Sequence, residues 1–247
     1  MSNQIPYPCA EKPIRLARRN ALHTMQTPSS IRAVFFDLDG TLIDSESLTD
    51  RAVLYLLQKH ALPANNLDLR LFHGTTWRAI ALRLKALFPT LDDLDYTIEL
   101  LSTHFFEQSI SAPPPLIPAA QEAFLAASSR FPTGIVTGSN ADAVDHFLRH
   151  SGLESACSFV VSSEQYTASK PDPVCYQLAA EQLAIPPAQC LVFEDSTPGL
   201  QAAKAAGMPA IAVLYSAPPP PSGLAIGSIV DYTELPDTFF EQIGEST

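Results

Sequence analysis

The chain has 247 residues, 46% of them hydrophobic and 17% charged, with 15 Lys+Arg against 26 Asp+Glu and a formal net charge of −11. That length suits one elaborated domain or a large domain carrying a smaller one, and the apolar share supplies a core and excludes a disordered chain. An acidic surface gives no electrostatic footprint for a polyanion, so nucleic acid is not an expected partner; a small phosphorylated ligand, which depends on local donors and metal, stays open.

Residues 1–30 stand apart. Glu11 is their only acidic residue, against Lys12, Arg15, Arg18 and Arg19, and Pro6, Pro8, Pro13 and Pro28 punctuate the stretch. An Arg-rich, acid-poor leader fits an organelle transit peptide. The lack of a sustained amphipathic period favours a disordered extension, or a start placed ahead of a true beginning at Met25. No run approaches 18 apolar residues and no apolar signal core is present, so no membrane association is expected. Cys9, Cys157, Cys175 and Cys190 form no C-x-x-C pair and read as reduced thiols of a cytoplasmic protein.

From residue 31 the text becomes periodic. Residues 31–36 (I-R-A-V-F-F) predict a buried strand. Helical spacing follows over 44–60, 76–88 and 92–108, and a proline cluster at 113–115 and 118 reads as a hinge. Then the pattern alternates: helix 119–129 and strand 133–136, helix 141–150 and strand 159–161, helix 173–184 and strand 190–193, helix 198–206 and strand 210–214. After prolines 218–221, residues 229–230 predict one more edge element. Such alternation predicts an α/β fold with a parallel sheet covered on both faces. The all-helical stretch 45–115 interrupts it and reads as a helical insert placed after the first strand. The expected division is therefore 31–44 and 116–247 for the core and 45–115 for the insert.

Chemistry-bearing residues cluster where strands end. Asp37 and Asp39 follow the first strand two residues apart, so at strand period they point the same way while Leu38 faces the other side. Two close carboxylates repel unless a cation lies between them or one holds a proton, which suits a nucleophile beside a general acid. Taken alone, D-L-D-G is equally a plain turn. Thr137, Gly138, Ser139 and Asn140 end the second strand and offer a hydroxyl and successive N–H groups as a phosphoryl cradle, or an ordinary helix cap. Lys170 precedes a proline-initiated helix. Glu194 and Asp195 end a hydrophobic strand as adjacent acids, which favours Mg²⁺ there.

In combination the segments F-D-L-D-G-T at 36–41, I-V-T-G-S at 135–139, K-P-D-P-x-x-Y at 170–176 and F-E-D-S at 193–196 resemble the haloacid dehalogenase-like superfamily. The resemblance runs from 31 to about 215. It is nearest to the subgroup of β-phosphoglucomutase and sugar-phosphate phosphatases, with a helical cap on a Rossmann-like core. It implies that Asp37 attacks phosphorus to form an aspartyl-phosphate and that Asp39 protonates the leaving alcohol. Thr137 would bind the phosphoryl group and Lys170 would neutralise its charge. Mg²⁺ would be held by Asp37, the Asp39 carbonyl and Asp195, with Glu194 as a further or water-mediated ligand. Thr41 belongs with the phosphate-binding set.

Departures narrow the reaction. Asp39, Glu194 and Asp195 argue against a metal-free dehalogenase. Trp77 stands where phosphonate-cleaving relatives carry a Schiff-base lysine. The positions of the cap histidine and arginine of β-phosphoglucomutases fall on Thr49 and Trp77, with Arg78 one place off, which counts against a mutase. The cap loop is expected to read the leaving group through His73, Thr75, Thr76, Trp77 and Arg78, with Ser45 and Glu46 bordering the pocket; Trp77 could equally anchor the cap's own core. His60, His104, His146 and His150 read as solvated or structural. The expected protein is a monomeric Mg²⁺-dependent phosphatase of a small phosphorylated metabolite, most plausibly a sugar phosphate. A phosphosugar mutase is the first alternative and an inactive binding protein the second.

Overall fold

The computed structural model describes residues 30–244 apart from 66, 73–76 and 92 and the side chain of Arg70. The expectations for the leader before residue 30 and for His73, Thr75 and Thr76 lie outside the described residues.

Six strands form one parallel sheet: β1 (Ala33–Phe36), β2 (Thr133–Val136), β3 (Phe159–Val161), β4 (Cys190–Glu194), β5 (Ala210–Val213) and β6 (Gly227–Ile229), in the order β3-β2-β1-β4-β5-β6. Three of the inner strands, AVFF, CLVFE and AIAV, are apolar but for the closing glutamate of the second, and all are buried along their whole length. That is what a sheet covered on both faces requires. Side chains alternate between the faces. Val34 and Phe36 enter one core with Phe124 of α4 (Ala120–Ser128) and Val144 and Phe147 of α5 (Ala141–Ser151). Ala33 and Phe35 enter the other with Tyr176 and Ala179 of α6 (Val174–Leu183) and Leu200 and Ala203 of α7 (Thr197–Ala205).

The three helices read from the sequence between the first two strands are α1 (Glu46–Lys59), α2 (Trp77–Leu87) and α3 (Leu94–Ser111). They bury a third apolar cluster of their own, with Leu56, Leu57, Phe72, Ile80, Leu84 and Leu101 fully or almost fully enclosed. This is an inserted helical cap on a Rossmann-like sheet. The chain leaves and re-enters the core side by side: the Asp44 N–H donates to the Pro115 carbonyl at 2.9 Å, the Ile117 N–H to that of Leu42 at 2.9 Å, and Ile43 bridges Leu116.

The edge element expected near 229 is β6, but the tail does more than add a strand. Tyr232 and the short α8 (Phe239–Gln242) pack three aromatic rings around Phe193, which also stacks on Phe36 at 4.8 Å. Among the described residues no helix is long and apolar enough to cross a membrane.

Candidate active site

In this strand order β1 has β2 on one side and β4 on the other, so connections diverge from it and open a crevice beyond the strands' carboxyl ends. Backbone bonds carry the ladder one residue past the strands and fix what stands at that edge. The Asp37 N–H donates to the Phe193 carbonyl at 3.0 Å, and the Thr137 N–H to that of Val161 at 3.0 Å. Leu38 turns into the core while Asp39 stays partly accessible, as the period of two predicts. Gly40 then turns with φ of +79°, and a Cβ there would overlap the Asp195 carboxylate, so this turn needs glycine both for its dihedral and for the closeness of Asp195.

Asp37, Glu194 and Asp195 are buried together, each offering an oxygen within 4.8 Å of the others'. Lys170 is the cation among them. Its Nζ donates to Asp37 Oδ1 at 2.7 Å, to Glu194 Oε1 at 2.8 Å and to the Val136 carbonyl at 3.3 Å, and lies 5.0 Å from the centre of the Tyr176 ring. The second oxygen of Glu194 accepts from the Ser196 N–H at 2.7 Å and its hydroxyl at 3.0 Å. Thr41 Oγ1 donates to Asp195 Oδ1 at 3.3 Å.

Burial pushes the Asp37 carboxyl up to about 7, against the pull of Lys170 and with a further push from Glu194. Asp195 is driven well above the carboxylate range by burial and by the charges of Glu194 and Asp37. For Lys170, burial alone would lower the ammonium's pKa, but Asp37 and Glu194 outweigh it and hold it well above the usual lysine value. Three carboxylates against one ammonium leave excess negative charge when all are ionised. Asp37 Oδ2 and Asp195 Oδ2 accept no hydrogen bond from the described residues, and hard carboxylate oxygens are the ligands a small divalent cation takes. The residues fit such an ion.

The other expected site residues divide. Ser139 Oγ donates to Asp39 Oδ2 at 2.5 Å, and its N–H to Thr137 Oγ1 at 3.0 Å, so the second-strand loop holds the carboxyl of Asp39. Tyr166 donates to the Thr137 carbonyl at 2.8 Å. Gly138 is exposed. Asn140 Oδ1 accepts from the Ala143 N–H at 2.9 Å and caps α5, so its oxygen serves the helix. Ser45 is buried and lines a cleft of about 280 Å³ together with Asp39 and Ser139, between α3 and α5. Trp77 packs edge-on against Phe105, ring centres 5.2 Å apart, in the helical cluster. Arg78 is exposed and lines a separate open depression of about 550 Å³ with Asp93 and Asp95. Adjacent helical residues point about 100° apart, so a tryptophan turned inward sends its neighbour out.

Tyr176 and Ser196 also reach the cluster, and their signals in the sequence are the last letter of the motif at 170–176 and a helix cap. His146, expected to be solvated or structural, lines the cleft, and its spacing of four from Asp142 and from His150, which line it too, is the available signal.

A buried cluster of strand-end carboxylates with one lysine thus stands at the crevice of a capped parallel sheet, the arrangement of a hydrolase. The family profile of haloacid dehalogenase-like hydrolases matches residues 31–207, and the chain belongs to that family. It is 31% identical over 199 residues to hexitol phosphatase B of Escherichia coli K12, covering 76% of this chain and 86% of the relative. It is 29% identical over 187 residues to the fructose-1-phosphate phosphatase YqaB of the same organism, covering 73% and 95%. Among solved structures, a Thermotoga maritima protein provisionally named β-phosphoglucomutase superposes with a TM-score of 0.66 at 27% identity, over 81% of this chain and 93% of the other.

Proposed function

We propose that the protein is a Mg²⁺-dependent phosphatase of a small phosphorylated metabolite, working through an aspartyl-phosphate on Asp37. The observation that carries this is the Asp37 carboxylate held by Lys170 through one oxygen only, with Asp195 alongside. Lys170 fixes the carboxylate through Oδ1, and the carboxylate attacks phosphorus in line. As the phosphorus–oxygen bond to the alcohol breaks, Asp39 gives that oxygen its proton; Asp39 then takes a proton from the water that cleaves the aspartyl-phosphate. Thr137 binds the phosphoryl oxygens, Lys170 neutralises their charge and holds Asp37, and Ser139 fixes the carboxyl of Asp39. Asp37, the Asp39 carbonyl and Asp195 would hold Mg²⁺, whose positive charge would offset that of the transferring group. Glu194 spends its oxygens on Lys170 and Ser196, which suits a positioning role with at most a water-mediated link to the ion.

The names of the relatives, a hexitol phosphatase and a fructose-1-phosphate phosphatase, support a sugar phosphate as the substrate class. The separate cluster of α1–α3 supports a cap at 45–115 over a core of 31–44 and 116–247. A cap that covers the site without a partner subunit suits a monomer, and the free thiols of Cys157, Cys175 and Cys190 suit the cytoplasm. A mutase would have to hold a phosphorylated intermediate through its reorientation. Trp77 packed against Phe105 and Arg78 turned to a separate depression give that reading little support.

Phosphate release from a panel of sugar, polyol and nucleotide monophosphates, with Asp37→Asn as blank, tests the proposal. Release that requires Mg²⁺, stops with EDTA and is absent in Asp37→Asn is expected. Isomerised sugar phosphate without released phosphate would turn the reading to a mutase, and indifference to EDTA would remove the metal.

A further inference from the structure

The cleft that starts at Asp39 changes character along its length. At the Asp39 end its walls are polar, with Ser45 and Ser139. Beyond them the walls are Leu38, Leu48, Phe105, Ile110 and Leu116. Leu38 and Leu48 are almost wholly enclosed, while Ile110 is 52% exposed and its neighbour Phe106 43% exposed, large apolar groups left in water at the mouth. Charged Asp145 and Arg149 stand on the rim, paired with each other. Ser109, Asp142, His146 and His150 interrupt this apolar lining, and His146 Nε2 is buried and finds no hydrogen-bond partner among the described residues.

Resting on the phosphatase reading above but departing from its sugar-phosphate class, we infer that this cleft is a leaving-group subsite for an apolar alcohol: the substrate is a phosphate monoester whose alcohol carries an aryl or branched alkyl group and a hydrogen-bonding atom. The physical grounds are those of any pocket. An apolar wall returns free energy only when apolar surface covers it, whereas a hydroxyl pressed against Leu48 or Ile110 loses its water without a replacement bond. Continuity with Asp39 puts the wall beside the oxygen that leaves, where selectivity reaches the transition state. His146 Nε2, buried and without a partner among the described residues, gives a polar contact that such an alcohol could satisfy. A fully hydroxylated open-chain alcohol would leave the wall uncovered and desolvate several hydroxyls.

The test compares benzyl phosphate with erythritol 4-phosphate, both esters of primary alcohols, on the full chain with Mg²⁺. The expected kcat/KM ratio favours benzyl phosphate by about tenfold or more, the worth of one or two well-placed apolar groups. Ile110→Asp, on an exposed helix position that tolerates charge, should bring that ratio close to unity. His146→Leu should raise KM for 3-hydroxymethyl-benzyl phosphate relative to benzyl phosphate. A wild-type ratio at or below one, with both esters hydrolysed, overturns the inference and leaves the phosphatase reading intact. So does a ratio indifferent to Ile110→Asp. Inertness towards both esters and towards p-nitrophenyl phosphate would instead sink the phosphatase reading, and this inference with it.

Discussion

The strand-end carboxylate cluster and the helical cap are built on opposite physical plans. Around Asp37 the side chains are tied by hydrogen bonds and ion pairs, and Glu194 by itself accepts from Lys170 and twice from Ser196. In the cap the contacts are apolar packing among Leu56, Ile80, Leu84 and Leu101, and its surface leaves Leu71, Leu82, Leu87 and Ile110 about half exposed. Polar networks in a dry site hold atoms in fixed positions, because each unmade bond is costly; apolar packing holds volume and tolerates exchange. On the proposed function, the chemistry sits on the rigid partner and the selection of substrate falls to the adaptable one.

The sharpest way to break this contrast is Lys170→Met. It removes the only ammonium that the described residues place beside three buried carboxylates, and kcat should fall about a thousandfold, on the order of 4 kcal/mol. Steady-state kinetics beside circular dichroism checks it, and a loss under about tenfold would show that Lys170 does not hold the reacting groups.

Leu84→Ala strikes the other region. Truncating a fully buried leucine in the cap cluster should cost about 3 kcal/mol of stability. Mg²⁺ affinity measured by calorimetry should stay within about twofold, since the cavity shares no partner with the carboxylates. A large change in metal affinity would show the two regions to be one energetic unit.

Proton linkage gives a smaller effect with a definite sign. The Asp37 carboxyl is raised from 3.8 to about 7, so its contribution to stability is full below about 4 and is lost as pH rises through about 7. A cation takes the deprotonated form. Mg²⁺ should therefore raise Tm by several degrees at about pH 8 and by much less at about pH 5.5, read by scanning calorimetry. Equal increments at both would mean that the ion binds elsewhere.

The mildest change is Tyr176→Phe. It deletes a hydroxyl 3.5 Å from Glu194 but keeps the ring under Lys170, and should lower kcat by less than about 1 kcal/mol. Tyr176→Leu should cost more; the reverse order would assign the effect to the hydroxyl.

Most of the fold was legible because its elements are long or strongly periodic. Every strand of the sheet was placed to within two residues, since each is a short apolar run closed by a turn. The aromatic seal of Tyr232, Phe239 and Phe240 on Phe193 was not, because elements of three or four residues carry no period to read. Within the site, motif order named Asp37, Asp39, Thr137, Lys170, Glu194 and Asp195, and all six stand at the same sheet edge. Sequence adjacency could not say which oxygen of Glu194 meets which donor, because that depends on the approach of α7. A Cβ on Gly199 would overlap the Glu194 carboxylate, so the helix start and the acid are fitted to each other in space. The cap was least legible for a related reason: whether Trp77 or Arg78 faces a ligand depends on the rotation of one helix.

The paired bonds of Asp44 with Pro115 and of Leu42 with Ile117 make the cap's two connections neighbours. To the sheet, everything between them is a single closed loop, and lengthening a loop costs only slowly with its length. The catalytic edge can therefore keep its registry while the segment beyond this doorway is shortened, enlarged or exchanged. Grafting a different helical segment between Ile43 and Leu116 would be an engineering route to new substrates that leaves the reacting residues where they are.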